Sequence, residues 1–178
     1  MESRAKALGH PIHPMLIVFP LGLLVAAVVF DVLYLVTDNQ AFATVAFWNI
    51  AGGIIGGLVA AIFGFWDWLA IPAGTRAKSD GLWHGVGNVV VVLLFAVSWL
   101  LRRGDPAYVP STVAFVLALV TTGIGAVTGW LGGELVDRLG VGVDEGANLN
   151  APNALSGRPA SEGNAPAVTR PAGRARGR

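Results

Sequence analysis

Ligand chemistry in this chain begins with its three histidines. His10 and His13 lie in Gly9-His-Pro-Ile-His-Pro14, and His84 lies in Leu82-Trp-His-Gly-Val-Gly-Asn88. A neutral imidazole nitrogen binds iron, zinc or copper. Each residue of the first pair precedes a proline, which drives it out of helical dihedrals toward polyproline II. In that conformation positions i and i+3 face the same way, about 9 Å apart. Pro14 suits the first position of a helix, with His13 as the flanking cap. Asn88 follows His84 by four residues and shares its helix face, where it suits a hydrogen bond that steadies the ring. Gly85 and Gly87 leave bare backbone beside it, as a porphyrin edge requires. Two carboxylates complete the set: Asp67 in Phe65-Trp-Asp-Trp-Leu69 and Glu134 in Gly129-Trp-Leu-Gly-Gly-Glu-Leu135. Both lie near the ends of apolar runs, where an ionisable group is costly and so a functional candidate. Trp66 and Trp68 fit an interfacial aromatic belt. The candidate metal ligands are therefore His10, His13, His84, Asp67 and Glu134. The candidate contacts of a cofactor, haem b or a non-haem metal ion, are His10, His13, His84 and Asn88. The chain has no cysteine, which excludes thiolate metal sites, disulfides and covalent haem attachment.

The elements that must position these groups are membrane helices. Of the 178 residues, 54% are hydrophobic and only 13% charged, against about a quarter charged in soluble domains. Apolar blocks at 14–36, 44–69, 82–101 and 111–135 each exceed the roughly 18 residues needed to cross a bilayer. Short connections between them predict an all-α, up-down four-helix bundle. The first block is too long for a signal-peptide core and lacks a clear cleavage site, so it reads as a retained span. Arg4, Lys6, Arg76, Lys78 and Arg138 fall on one side and only Arg102 and Arg103 on the other, which predicts cytoplasmic termini. From about 144 to 178 the composition turns to Asn, Ala, Pro, Gly, Ser and Arg, and the pattern predicts a disordered tail. Its last five residues, Arg-Ala-Arg-Gly-Arg178, suit contact with anionic headgroups.

This weave gathers the chemistry. Odd helices start and even helices finish at one boundary, so His10, His13, Asp67, His84 and Glu134 belong to a single face. Asp31 lies about 27 Å along the helix from His13 and cannot share its first shell. Imidazoles at helix N-termini and carboxylates at C-termini both oppose the helix dipole, so the rings tend to stay neutral and the acids welcome a cation or an N–H donor. Histidine at the start and carboxylate at the finish of each half also suggest two parallel hairpin repeats. Small-residue ladders at Gly52, Gly56, Ala60 and Gly64, at Gly53, Gly57 and Ala61, and at Gly125, Gly129 and Gly133 read as close helix packing, within the bundle or in a homo-oligomer.

These motifs resemble a bacterial family of small four-helix membrane proteins catalogued as a domain of unknown function. The resemblance rests on Gly9-His-Pro-Ile-His-Pro-Met, Phe19-Pro-Leu-Gly22, Asp67-Trp-Leu-Ala-Ile-Pro with Gly-Thr-Arg76, His84-Gly-Val-Gly-Asn88 and Gly129-Trp-Leu-Gly-Gly-Glu-Leu135, over residues 8–143. It implies a multi-pass protein of the bacterial inner membrane. Some members of the group are joined to Rieske or c-type cytochrome modules, which implies respiratory electron transfer; this chain would then need a separate redox partner protein or a quinone. The expectation is a haem- or metal-binding electron-transfer module, with His84 and one of His10 or His13 as ligands and Asp67 and Glu134 orienting them or relaying protons. The competing readings are a non-catalytic structural or interaction subunit and a small proton-coupled or metal transporter. No nucleophile elbow, phosphate loop or His-Glu-x-x-His motif is present, so the chain is not expected to be an enzyme on its own. Nucleic acid is not an expected partner.

Overall fold

Four helices long and apolar enough to cross a membrane, Ile12–Thr37, Gln40–Ala70, Arg76–Leu101 and Thr112–Arg138, build the protein. They are seen in a computed structural model that describes residues 1–164. The first span is broken into α1 (Ile12–Leu16) and α2 (Val18–Thr37). Pro20 has no N–H to offer the Leu16 carbonyl, and the helix steps at Ile17. Asp38 ends α2 in the left-handed region at φ 54°, a conformation aspartate tolerates better than most residues. Three side chains then start the remaining helices by accepting from an exposed backbone N–H. Asn39 caps α3 (Gln40–Ala70), Thr75 caps α4 (Arg76–Leu101) and Ser111 caps α5 (Thr112–Gly133). The Thr75 cap explains why α4 begins six residues before the apolar block at 82: its first turns are polar and stand clear of the hydrophobic layer. A π-helical turn, Glu134–Arg138, finishes the fourth span.

Each hairpin packs closely on itself, α2 on α3 and α4 on α5, and the pairs join through α3 with α4 and α2 with α5. The core between them is Leu24, Ala27, Ile50, Val91, Phe95 and Ala118 with their neighbours. Outside it, Ile55, Ile62, Leu93, Val113 and Val127 are each more than half exposed. A belt of this kind has lipid as its natural solvent.

The glycine ladder of α3 carries out the packing expected of it. A Cβ on Gly53 would fall 2.5 and 2.6 Å from Leu24 Cδ2 and Cγ, and one on Gly56 would fall 3.2 Å from Pro20 Cδ. The α5 ladder behaves otherwise: Gly125, Gly129 and Gly133 have nothing within 4 Å, so they face outward. The contrast sets a prediction. Gly53→Ala forces the α2–α3 contact apart and costs about 1–3 kcal/mol. Gly129→Ala meets no neighbour and gains up to about 1 kcal/mol of helix propensity. Thermal unfolding of both variants in one detergent reads the opposite signs.

Before α1, residues 1–11 form a strap. Lys6–Ala7 (β1) pairs antiparallel with His10–Pro11 (β2) around Leu8 and Gly9, both at positive φ. Residues 144–164, which composition assigns to a disordered tail, run along the strap with short 3-10 turns at Ala154–Ser156 and Ala160–Asn164. The rest of that expected tail, including the final Arg-Ala-Arg-Gly-Arg, lies outside the described residues.

Candidate functional site

Two of the three histidines meet. His13, the second residue of α1, and His84, in the third turn of α4, approach at 6.3 Å between ring centres with planes 87° apart. Each ring is tied by the same nitrogen to the next membrane span, His13 to α3 and His84 to α5. His13 Nδ1 lies 2.8 Å from the Ala60 carbonyl oxygen, and His84 Nδ1 lies 2.8 Å from the Thr128 carbonyl oxygen. A carbonyl only accepts, so each Nδ1 carries a hydrogen and Nε2 is the nitrogen each ring would offer a ligand. Neutral imidazole with Nδ1–H on a carbonyl is the tautomer that ligates metals through Nε2.

Glycine makes the room. A Cβ on Gly64 would reach 2.8 Å from His13 Cε1 and Nδ1, and one on Gly132 would reach 3.0 Å from His84 Cε1. Gly64 follows Ala60 by four residues, as Gly132 follows Thr128. The two hairpins thus build the two halves of the site in the same way, and the parallel repeat suggested by the sequence takes this form. His13 corresponds to His84. Asp67 and Glu134 are not counterparts in what they do.

The halves differ in polarity. Asn88 Nδ2 donates to the His84 carbonyl oxygen at 2.8 Å and stands 3.3 and 3.5 Å from the two ring nitrogens. Near-equal distances place the amide beside the ring, off the axis of either lone pair. Thr128 Oγ1 donates to Asn88 Oδ1 at 3.1 Å. This closes a loop, since Thr128 also supplies the carbonyl that holds the ring. Asn88 is thus tied to the main chain of His84, four residues before it, with its amide lying against the ring. At the matching places around His13 stand Ile17 and Ala60, and the pair is steadied from one side only.

The other candidates go elsewhere at the same end of the bundle. His10 is exposed on β2. Asp67 is the strap's anchor: Oδ2 accepts from Ser3 Oγ at 2.7 Å, and Oδ1 accepts from the Arg4 and Ala5 amides at 2.8 and 3.2 Å. Hydrogen bonds to a charged group contribute about 1.5–3 kcal/mol each, so this is a firm attachment. Glu134 accepts from Arg76 Nη2 at 2.7 Å, and Arg76 also pairs with Asp80 at 3.1 Å. These carboxylates answer local donors and do not reach the rings. Among the described residues no group of three or more His, Cys, Asp or Glu is placed to hold a metal ion.

Lys6 adds a second clamp, reaching Glu2 at 2.7 Å and Asp144 at 2.6 Å. The Lys6 ammonium holds the Glu2 carboxyl below the usual carboxylate range, and hydrogen bonds to Asp144 and Glu2 raise Lys6 above the usual lysine value. Glu2's contribution to the clamp is therefore lost only as pH falls through its lowered pKa, and Lys6's only as pH rises through its raised one. At neutral pH both are charged.

At the opposite end, Asp31 and Arg102 form a bidentate ion pair, both bonds 2.6 Å and both side chains fully buried. Arg102 Nη2 also lies 3.3 Å from Ser98 Oγ, which donates to the Ala114 carbonyl oxygen at 2.7 Å. Asp31 and Arg102 are 71 positions apart, the same displacement that separates His13 from His84. One internal correspondence between the hairpins therefore sets both pairs. Arg102 counted only as a flanking charge in the sequence. The available signal was electrostatic: an acid inside a span requires a cation, and only Arg102 and Arg103 lie on its side.

A bundle of four helices long and apolar enough to cross a membrane is the architecture of an integral membrane protein. Residues 9–145 match DUF2231, a family described as a predicted membrane protein, and the chain belongs to that family. No curated protein and no solved structure matches it.

Proposed function

We propose that His13 and His84 would hold a haem b, and that the protein is an electron-transfer module whose redox partner is another protein or a quinone. The observation that supports this reading is the geometry of the rings. The ring centres stand 6.3 Å apart, and with both Nδ1 atoms taken by carbonyls each ring would offer Nε2 to a shared group. The donor set favours haem over a bare ion. Two imidazoles alone leave a tetrahedral or octahedral ion short of ligands, whereas a porphyrin brings four nitrogens of its own. Two axial histidines leave no open coordination position, which suits electron transfer rather than oxygen chemistry. The chain's own part is to hold both rings in one tautomer, supply glycine clearance at Gly64 and Gly132, and keep the site inside the bundle.

The interaction-subunit reading draws on a different observation, the outward face of Gly125, Gly129 and Gly133 on α5, which would suit a neighbouring helix or a second copy. The transporter reading loses its free outer carboxylate, because Asp31 is neutralised by Arg102.

The deciding experiment is the absorption spectrum of detergent-purified protein, before and after dithionite, from cells well supplied with iron and haem precursors. A Soret band that sharpens and shifts on reduction, with about one haem per chain, is expected. Absence of that band together with absence of stoichiometric metal removes the proposal.

A further inference from the structure

The two rings are mounted differently. His84 belongs to the body of a 26-residue helix and is braced by Asn88. His13 lies in the first turn of its span, where the Ile17 amide donates to the His13 carbonyl oxygen at 3.1 Å, and everything before α1 is strap. The Ile12 amide donates to the Ala5 carbonyl oxygen at 2.8 Å, which links α1 directly to the strap. The strap in turn is gripped by Asp67 through Ser3, Arg4 and Ala5. Ser3 and Ala5 are only 7% and 9% exposed, so the gripped segment is seated against the bundle. Asp67 follows Gly64 by three residues, on the face of α3 against which the His13 ring rests.

We infer that Asp67 is a positioning residue for His13: it holds the ring opposite His84 through the strap, and the pair opens from the His13 side when the strap lets go. A site with one fixed and one releasable imidazole can admit and retain a ligand that a rigid pair would exclude. The inference rests on reading the pair as a binding site, but its mechanical content concerns the protein alone. It can be tested with nothing bound.

The test is diethyl pyrocarbonate modification of the full chain in detergent, with His10, His13 and His84 followed separately by mass spectrometry. In the native protein exposed His10 reacts fastest. Asp67→Ala is expected to raise the His13 rate roughly tenfold, the change that about 1.4 kcal/mol in local opening gives, while His84 stays within a factor of about two. Trypsin should cut faster after Arg4 and Lys6 in the same variant. Asp67→Asn keeps a carbonyl oxygen for the Arg4 and Ala5 amides and should restore an intermediate rate, which general loosening of the fold would not. The inference is overturned by an unchanged His13 rate, by His84 rising in step with His13, or by unchanged tryptic cleavage. A haem-free spectrum alongside the expected modification pattern would remove the proposed function and leave the role of Asp67 standing.

Discussion

Arg102→Ala should destabilise the bundle by about 3–5 kcal/mol, the range for stripping one partner from a buried ion pair. Asp31 then remains fully buried, roughly 9 Å inside the end of α2 at 1.5 Å per residue, with no other basic side chain bonded to it. Asp31→Ala should cost less. Arg102 follows the last residue of α4, and its long side chain can turn outward to the interface once the carboxylate is gone. Asp31→Leu combined with Arg102→Met should recover most of the loss, because two apolar side chains in lipid carry no desolvation penalty. Unfolding of the four proteins in one detergent gives a double-mutant cycle. Strictly additive single effects would mean that the pair is not coupled as its geometry indicates.

The pair also marks the boundary of what the sequence makes legible. Span number, helix direction and the gathering of His13, Asp67, His84 and Glu134 at one end follow from apolar length and from alternation through the bilayer. These are one-dimensional properties. Which of the gathered groups touch is set by rotation about each helix and by backbone detail at the ends. The His-Pro-Ile-His spacing makes His10 and His13 equivalent, yet a two-residue β-pairing leaves His10 outside while α1, beginning at Ile12 with Pro11 as its cap, takes His13 into the helix instead of leaving it as the flanking residue. Asp67 reads as an intramembrane acid seeking a cation, and its partners prove to be two backbone amides and a hydroxyl from the chain's first five residues. No periodicity announces such contacts. The most legible contact was a local one: Asn88 at i+4 from His84 shares its face whatever the tertiary packing, although its 2.8 Å hydrogen bond goes to the His84 main-chain carbonyl oxygen.

If the pair holds haem as proposed, the two imidazoles differ in the second large effect. His84→Ala should then lower haem occupancy more than about tenfold, since it removes the ring that the Thr128 carbonyl holds by Nδ1 from the body of a long helix. His13→Ala removes the ring mounted on the short helix and leaves the braced one. A substantial share of the haem should remain, now with one open axial position, seen as a high-spin spectrum and as carbon monoxide binding by the reduced protein. Asn88→Leu removes the amide that lies against the His84 ring and accepts from Thr128 Oγ1, and should weaken affinity by about tenfold without opening a coordination position. Occupancy measured per folded chain separates these outcomes from stability. Equal losses for His13→Ala and His84→Ala would contradict the asymmetry, and with it the view that the second hairpin carries the permanent ligand while the first supplies the movable one.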